Sequence, residues 1–169
     1  NIINFGINYY PENIVLIDGI QTQSIEEIKN LKMYLNREND KLDLKIIDKY
    51  LNLNSTVLAY LGDSIYEVYI RKYLITKYFK VDELQKEAIK YVSANSQKQI
   101  LDKFIDNNIL NNNELEIIKK GRNTKSHKAP KNTDIVTYKY ATGFEALIGY
   151  LYLFNKIKLE ELIKIIIGD

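Results

Sequence analysis

Two carboxylates sit among residues that would be poor company for a charge. Asp63 lies in Val57-Leu-Ala-Tyr-Leu-Gly-Asp63-Ser-Ile-Tyr-Glu67-Val-Tyr-Ile70, directly after a glycine. Glu145 lies in Ala141-Thr-Gly-Phe-Glu145-Ala-Leu-Ile-Gly-Tyr-Leu-Tyr-Leu-Phe154 and is the sole acid between Asp134 and Glu160. A lone carboxylate in apolar surroundings costs roughly several kcal/mol unless a basic partner, protonation or a metal ion compensates. No Lys or Arg lies within one helical turn of Glu145 along the chain. If the two acid-bearing segments pack together, the anions also repel. A bound Mg²⁺, with Mn²⁺ as a substitute, answers both problems, because it takes hard oxygen ligands and keeps several waters. Blander readings stand beside this one. Either acid can sit at an exposed edge, Glu145 can accept a hydrogen bond from one of 14 tyrosines, and Asp63 can be a plain N-cap.

Other chemistries are closed by composition. Cysteine is absent and His127 is the only histidine, so no Ser-His-Asp or Cys-His set can be built, and no disulfide or thiolate metal site exists. His127 reads as a solvated loop residue. Glu67 has Arg71 four residues on, the spacing of a helix ion pair. Gly62, Gly143 and Gly149 read as points of close helix packing.

The net charge of +2 is too small to argue for a nucleic-acid partner, but its distribution is uneven. Lys119, Lys120, Arg122, Lys125, Lys128 and Lys131 fall between Ile117 and Thr133 with no acid among them, whereas the rest of the chain is acidic, 22 against 18. Such a loop suits phosphate contacts. Lys and Arg there would make binding to a phosphate backbone strongly salt-dependent. Asn123 and Asn132 fit hydrogen bonds to the sugar-phosphate backbone, or a role in shaping turns. A solvated charged loop is the alternative.

These residues need a scaffold. Residues 1–40 read as an N-terminal extension of strand and helix character, to which no function is assigned. Asn1–Tyr10 and Asn13–Ile20 look extended around Pro11, with a strand-then-turn signal at Ile14-Val-Leu-Ile-Asp18-Gly19. Ser24-x-x-Glu27 is a capping box for an amphipathic run through Ile25, Ile28, Leu31 and Leu35. Arg37–Lys41 reads as a polar linker, which places the domain boundary near residue 40.

From there to residue 169 the pattern is helical. Helices are expected over Asp43–Tyr50, after an Asn54-Ser55 cap, and over Ile65–Tyr78, with Ile65, Val68, Tyr69, Lys72 and Tyr73 on one stripe. Others are expected from Asp82 as cap to near Tyr91, over Asn95–Ile105, from Asn113-x-x-Glu116 to a C-cap at Gly121, and over Tyr138–Phe154 and Lys158–Ile167. The fold class is all-α. A spanning helix needs about 18 apolar residues; Tyr140–Phe154, the longest apolar run, has 15 and contains Glu145. With no signal-peptide pattern either, a cytoplasmic protein without a membrane association is expected.

Leu61-Gly-Asp63-Ser-Ile, preceded by Ala59-Tyr60, resembles the signature of ribonuclease III catalytic domains. Phe144-Glu-Ala-Leu-Ile-Gly-Tyr-Leu-Tyr152 resembles their second acidic helix. With Gly121-Arg-Asn-Thr-Lys-Ser126, Pro130-Lys-Asn-Thr-Asp134 and Tyr138-Lys-Tyr-Ala-Thr-Gly-Phe-Glu145, the pattern is similar to the Mini-ribonuclease III subfamily, over about residues 43 to 167. That resemblance implies a helical ribonuclease III catalytic-domain-like bundle without a double-stranded RNA-binding domain, active as a homodimer. It implies metal-assisted hydrolysis of double-stranded RNA to 5′-phosphate and 3′-hydroxyl ends, and maturation of the large-subunit (23S) ribosomal RNA precursor. It makes Asp63 and Glu145 the catalytic metal ligands. Two further acids of the full-length enzymes are replaced here by Ala59 and Thr142, which leaves fewer direct ligands and puts a tightly held second metal in doubt.

Two competing readings are a catalytically silent RNA-binding or ribosome-associated protein on the same fold, and a helical interaction module with no RNA role. The basic loop separates the last from the others. Replacing Lys125 and Lys128 with Ala should raise the dissociation constant for duplex RNA in a salt-titrated binding assay; an unchanged constant would remove the loop from the contact surface.

Overall fold

The computed structural model of the chain describes residues 14–17, 20–23, 25–124 and 134–168. It divides into two compact units, Asn1–Asn52 and Leu53–Asp169, a division that falls a whole helix beyond the boundary expected near residue 40.

In the first unit, β1 (Ile14–Ile17) and β2 (Ile20–Gln23) pair antiparallel, with Ile14 opposite Gln23 and Ile17 opposite Ile20. What reads as one extended segment to Ile20 is thus two strands, the second continuing through the polar Gln21-Thr22-Gln23. The expected Asn1–Tyr10 segment, the Asp18-Gly19 turn and Ser24 lie outside the described residues. Two helices follow, α1 (Ile25–Leu35) and α2 (Glu38–Leu51), joined through Asn36 at φ 47°, a left-handed conformation that Asn tolerates.

The supposed linker Arg37–Lys41 is instead the start of α2. Its polarity is consumed internally. Asp40, 1% exposed, accepts from the Arg37 backbone N–H at 3.0 Å, from the Arg37 guanidinium at 2.7 and 3.1 Å, and from Lys32 at 3.4 Å. The Arg37 hydrogen bond holds the Asp40 carboxyl well below the usual carboxylate range.

The second unit is helical throughout its described residues: α3 (Ser55–Leu74), α4 (Val81–Val92), α5 (Ala94–Asp106), α6 (Asn112–Arg122), α7 (Ile135–Phe154) and α8 (Lys156–Ile167). Side-chain caps set several boundaries. Asn54 accepts from Thr56 N–H, Ser93 from Ser96 N–H, and Asp134 from Val136 and Thr137 N–H. Asn155 ends α7 and caps α8, accepting from Lys158 N–H. The capping box of α6 is Asn111 with Glu114, two residues earlier than Asn113 with Glu116. That helix also runs past Gly121 to Arg122, with Asn123 as its C-cap. Asp82 lies inside the first turn of α4 rather than capping it.

α7 is apolar around most of its circumference and forms the hub, packed against α3, α5, α6 and α8. Phe144, Leu147, Ile148 and Leu151 from α7 meet Tyr66, Ile70 and Leu74 of α3, Leu101 and Phe104 of α5, and Leu159 and Leu162 of α8 in one core. The buried face of α3 is therefore Leu58, Ala59, Gly62, Tyr66, Ile70 and Leu74, while Val68 and Lys72 from the expected stripe are exposed. Ile65, Tyr69 and Tyr73 of that stripe pack half-buried against the core, and the inner face is centred one helical position further on, at Tyr66, Ile70 and Leu74.

α3 and α7 touch backbone to backbone. A Cβ on Gly62 would stand 1.8 Å from the Glu145 carbonyl oxygen, and one on Gly149 would stand 2.1 Å from the Leu58 carbonyl oxygen. Only hydrogen fits at either position. Gly62→Ala should destabilise the unit by about 3 kcal/mol or more, since the obstructing atoms are backbone and cannot rotate away. A urea midpoint equal to that of the unsubstituted protein would rule this contact out.

Candidate active site

The crossing that needs Gly62 also places the two acids. α3 is continuous from Ser55 to Leu74, so Asp63 is a mid-helix residue and not an N-cap. It follows the glycine that meets the Glu145 backbone. Just beneath, the Tyr66 and Phe144 rings meet edge to face, centroids 4.9 Å apart and 83° between planes, which fixes the rotation of one helix against the other. Asp63 is exposed and Glu145 partly buried, so the pair sits at the rim of the core; the acids are less enclosed than their apolar neighbours in sequence imply.

Their electrostatics are those of two acids without a cation. Burial pushes the Glu145 carboxyl up to about 8, and the charge of Asp63 pushes it the same way, against a hydrogen bond from Gln97 that lowers it. Asp63 is also raised, by burial and then by Glu67. Glu67 itself is held by Arg71 at 2.6 Å, the expected ion pair. The charge of Asp63 thus bears on Glu145, whereas the charge that raises Asp63 is that of Glu67.

Gln97 escaped the sequence reading. It sits on α5, 1% exposed, at a position shared with the buried Leu101 and Phe104 four and seven residues on. A polar residue in the apolar register of an otherwise amphipathic helix was the available signal. Its amide bears on Glu145 and favours the charged carboxylate, and its Oε1 is buried without a hydrogen-bond partner. An unpaired buried carbonyl oxygen costs about 1–3 kcal/mol. The partner of Glu145 is thus an amide, rather than a tyrosine or a cation.

This donor set suits a hard divalent cation. Two carboxylates raised by burial and by neighbouring negative charge, Glu67 for Asp63 and Asp63 for Glu145, would both gain from a nearby cation. Among the described residues no group of three or more His, Cys, Asp or Glu side chains could hold a metal. Ala59 is buried on α3, and Thr142 bonds back to the Tyr138 carbonyl at 3.1 Å, so neither adds a ligand. Most of the coordination sphere falls to water or phosphate oxygens, an arrangement Mg²⁺ accepts.

The basic residues divide. Lys119 and Lys120 are exposed in the last turn of α6, Lys119 lying 3.3 Å from Glu116. Arg122 stacks its guanidinium 3.8 Å from the centroid of the Tyr140 ring on α7, and Lys98 of α5 approaches the same ring at 5.1 Å. Lys98 was not anticipated as part of this group. Asn123 is exposed and ends α6, its backbone N–H bonded to the Gly121 and Lys119 carbonyls. Lys125, Lys128, Lys131, Asn132 and His127 lie outside the described residues. Gly121 and Gly143 face one another, with a Gly121 Cβ only 2.9 Å from Gly143 Cα, and bring α6 against α7.

Residues 56–156, which carry both acids, match the Ribonuclease III domain model. The chain belongs to the ribonuclease III family. Within that family it is similar to proteins named Mini-ribonuclease 3. The one from Clostridium tetani is 42% identical over 140 residues, covering 81% of this chain and 87% of that protein. The one from Enterococcus faecalis is 47% identical over 116 residues, covering 68% and 88%. A crystal structure of a Fusobacterium nucleatum protein superposes with a TM-score of 0.63 at 33% identity, covering 71% of this chain and 96% of that one. The ribonuclease III-like helical bundle expected from the motifs is therefore the fold observed.

The raised Glu145 has a measurable consequence. Between about 4.5, the ordinary glutamate value, and about 8, the folded chain keeps a proton that the unfolded chain has lost. In EDTA, stability should therefore fall as pH rises through that window, and the fall should be reduced in Glu145→Gln. Urea midpoints taken across the window test this; a flat wild-type profile would show that Glu145 is not raised.

Proposed function

We propose that this endoribonuclease hydrolyses phosphodiester bonds in double-stranded RNA with a divalent cation, Mg²⁺ with Mn²⁺ as substitute, held by Asp63 and Glu145. The carrying observation is that two acids from α3 and α7 flank one helix crossing and the charge of Asp63 bears on Glu145. When bound, the cation would lower the pKa of a water and relieve charge at the phosphoryl oxygens. The chain's own work is to hold two carboxylates at fixed rotation on packed helices and to keep Glu145 oriented. Arg122, steadied on Tyr140, and Lys119, Lys120, Asn123, Lys125, Lys128, Lys131 and Asn132 make up the RNA-contacting set in this reading.

The proposed substrate is the 23S ribosomal RNA precursor, in keeping with the Mini-ribonuclease resemblance, and the proposed active form is a homodimer. The dimer reading is supported by α3, whose outer face exposes Val57, Tyr60, Val68 and Ile75 beside Asp63, Tyr60 being 82% exposed. An apolar groove lined by Leu74, Ile75, Val81, Leu84, Ala88 and Ile89 continues that face onto α4. No helix among the described residues is long and apolar enough to cross a membrane, and a cytoplasmic location belongs to the same reading.

Glu145→Gln should lower the rate of duplex RNA cleavage by at least about a thousandfold, on the scale of removing a central electrostatic group. RNA binding and the dimer should be retained. EDTA should abolish cleavage by the wild type. A Glu145→Gln protein of normal activity would remove Glu145 from the reaction, and a wild type that binds duplex RNA without cutting it under Mg²⁺ would make the chain a silent RNA-binding protein.

A further inference from the structure

We infer that Gln97 is a positioning residue for the metal site, donating its side-chain amide to the Glu145 carboxylate and fixing the orientation in which that carboxylate meets a divalent cation. The inference rests on the reading of Asp63 and Glu145 as metal ligands.

The argument begins with the place of Gln97 in the core. α5 packs on α7, and its buried face is Gln97, Leu101 and Phe104. Leu101 and Phe104 join the central apolar core, and Gln97 stands one turn earlier on the same buried face. An amide is there, 1% exposed, with one end unsatisfied. A residue kept for packing alone would not carry an unpaired buried oxygen.

The geometry of the amide explains the choice. A carboxylate only accepts hydrogen bonds, so Gln97 must turn its N–H₂ end toward Glu145. Its Oε1 is then forced away, and that is the atom left without a partner. Lysine or arginine at the same position would hold Glu145 more strongly, but would cancel the charge that a cation needs. Asparagine is one methylene shorter. Glutamine orients the acid and leaves its charge available. Groups that orient metal-ligating carboxylates in this way typically change metal affinity by about 10–100-fold when removed.

The test uses the full chain and Mn²⁺ alone, without RNA, followed by electron paramagnetic resonance titration. Gln97→Leu, or the near-isosteric Gln97→Met, should raise the Mn²⁺ dissociation constant about tenfold or more. The melting temperature should be unchanged or higher, because an unpaired buried oxygen has been removed. In cleavage assays the Mn²⁺ concentration for half-maximal rate should rise while KM for RNA stays the same, and excess Mn²⁺ should restore kcat. Glu145→Gln is titrated in parallel. If it loses Mn²⁺ while both Gln97 variants bind as the wild type does, the inference is overturned and the metal site stands. If Glu145→Gln also binds normally, the metal-site reading has failed and the inference falls with it. If both Gln97 variants lose the fold, Gln97 is a core residue only, and the inference is likewise overturned.

Discussion

The approach of α3 to α7 at hydrogen-only distance is the constraint on which the second unit depends. Gly62 and Gly149 let carbonyl oxygens of each helix occupy space that any side chain would fill. The gain lies in what such closeness permits around it. Tyr66 reaches Phe144, the apolar faces of both helices join one core, and two acids on different helices share one rim. Gly121 against Gly143 repeats the device between α6 and α7. α7 thus holds the acid-bearing helix on one flank and the helix leading into the basic loop on another.

Close packing alone would bury Glu145 at a loss. Its surroundings supply no cation among the described residues, only the Gln97 amide and a like charge. A core built for stability would have placed an apolar side chain there. In the proposed reading, stability is traded locally for an electrostatic field that would favour binding of a positive ion.

Much of this was legible in sequence. Asp63 and Glu145 were identifiable because acids in apolar runs are conspicuous, and the glycines because small residues recur beside them. The helices of the second unit followed from apolar periodicity. What failed did so for physical reasons. The Arg37–Lys41 run looks like a linker because sequence does not show that Asp40 is enclosed by Lys32 and Arg37. The inner face of α3 is legible only in part: Ile65, Tyr69 and Tyr73 flank it, while Val68 fits an apolar stripe and is exposed. Cap positions slipped where several Asn residues compete, as at Asn111 to Asn113, and only backbone geometry decides which side chain accepts. Gln97 shows in sequence only as a polar residue in the apolar register of α5; its relation to Glu145 does not, because the two stand 48 positions apart in the chain.

Tyr140 has a quieter role than the acids. It belongs to the same helix as Glu145, five residues earlier, and carries the Arg122 guanidinium on its ring. An α-helix rises 1.5 Å per residue, so perch and acid are separated by about 7.5 Å along one rigid axis. Their side chains leave the helix about 140° apart. If Arg122 contacts a phosphate and Glu145 a metal ion, as proposed above, then α7 alone sets the offset between those two points, and substitutions in the loop would leave it unchanged.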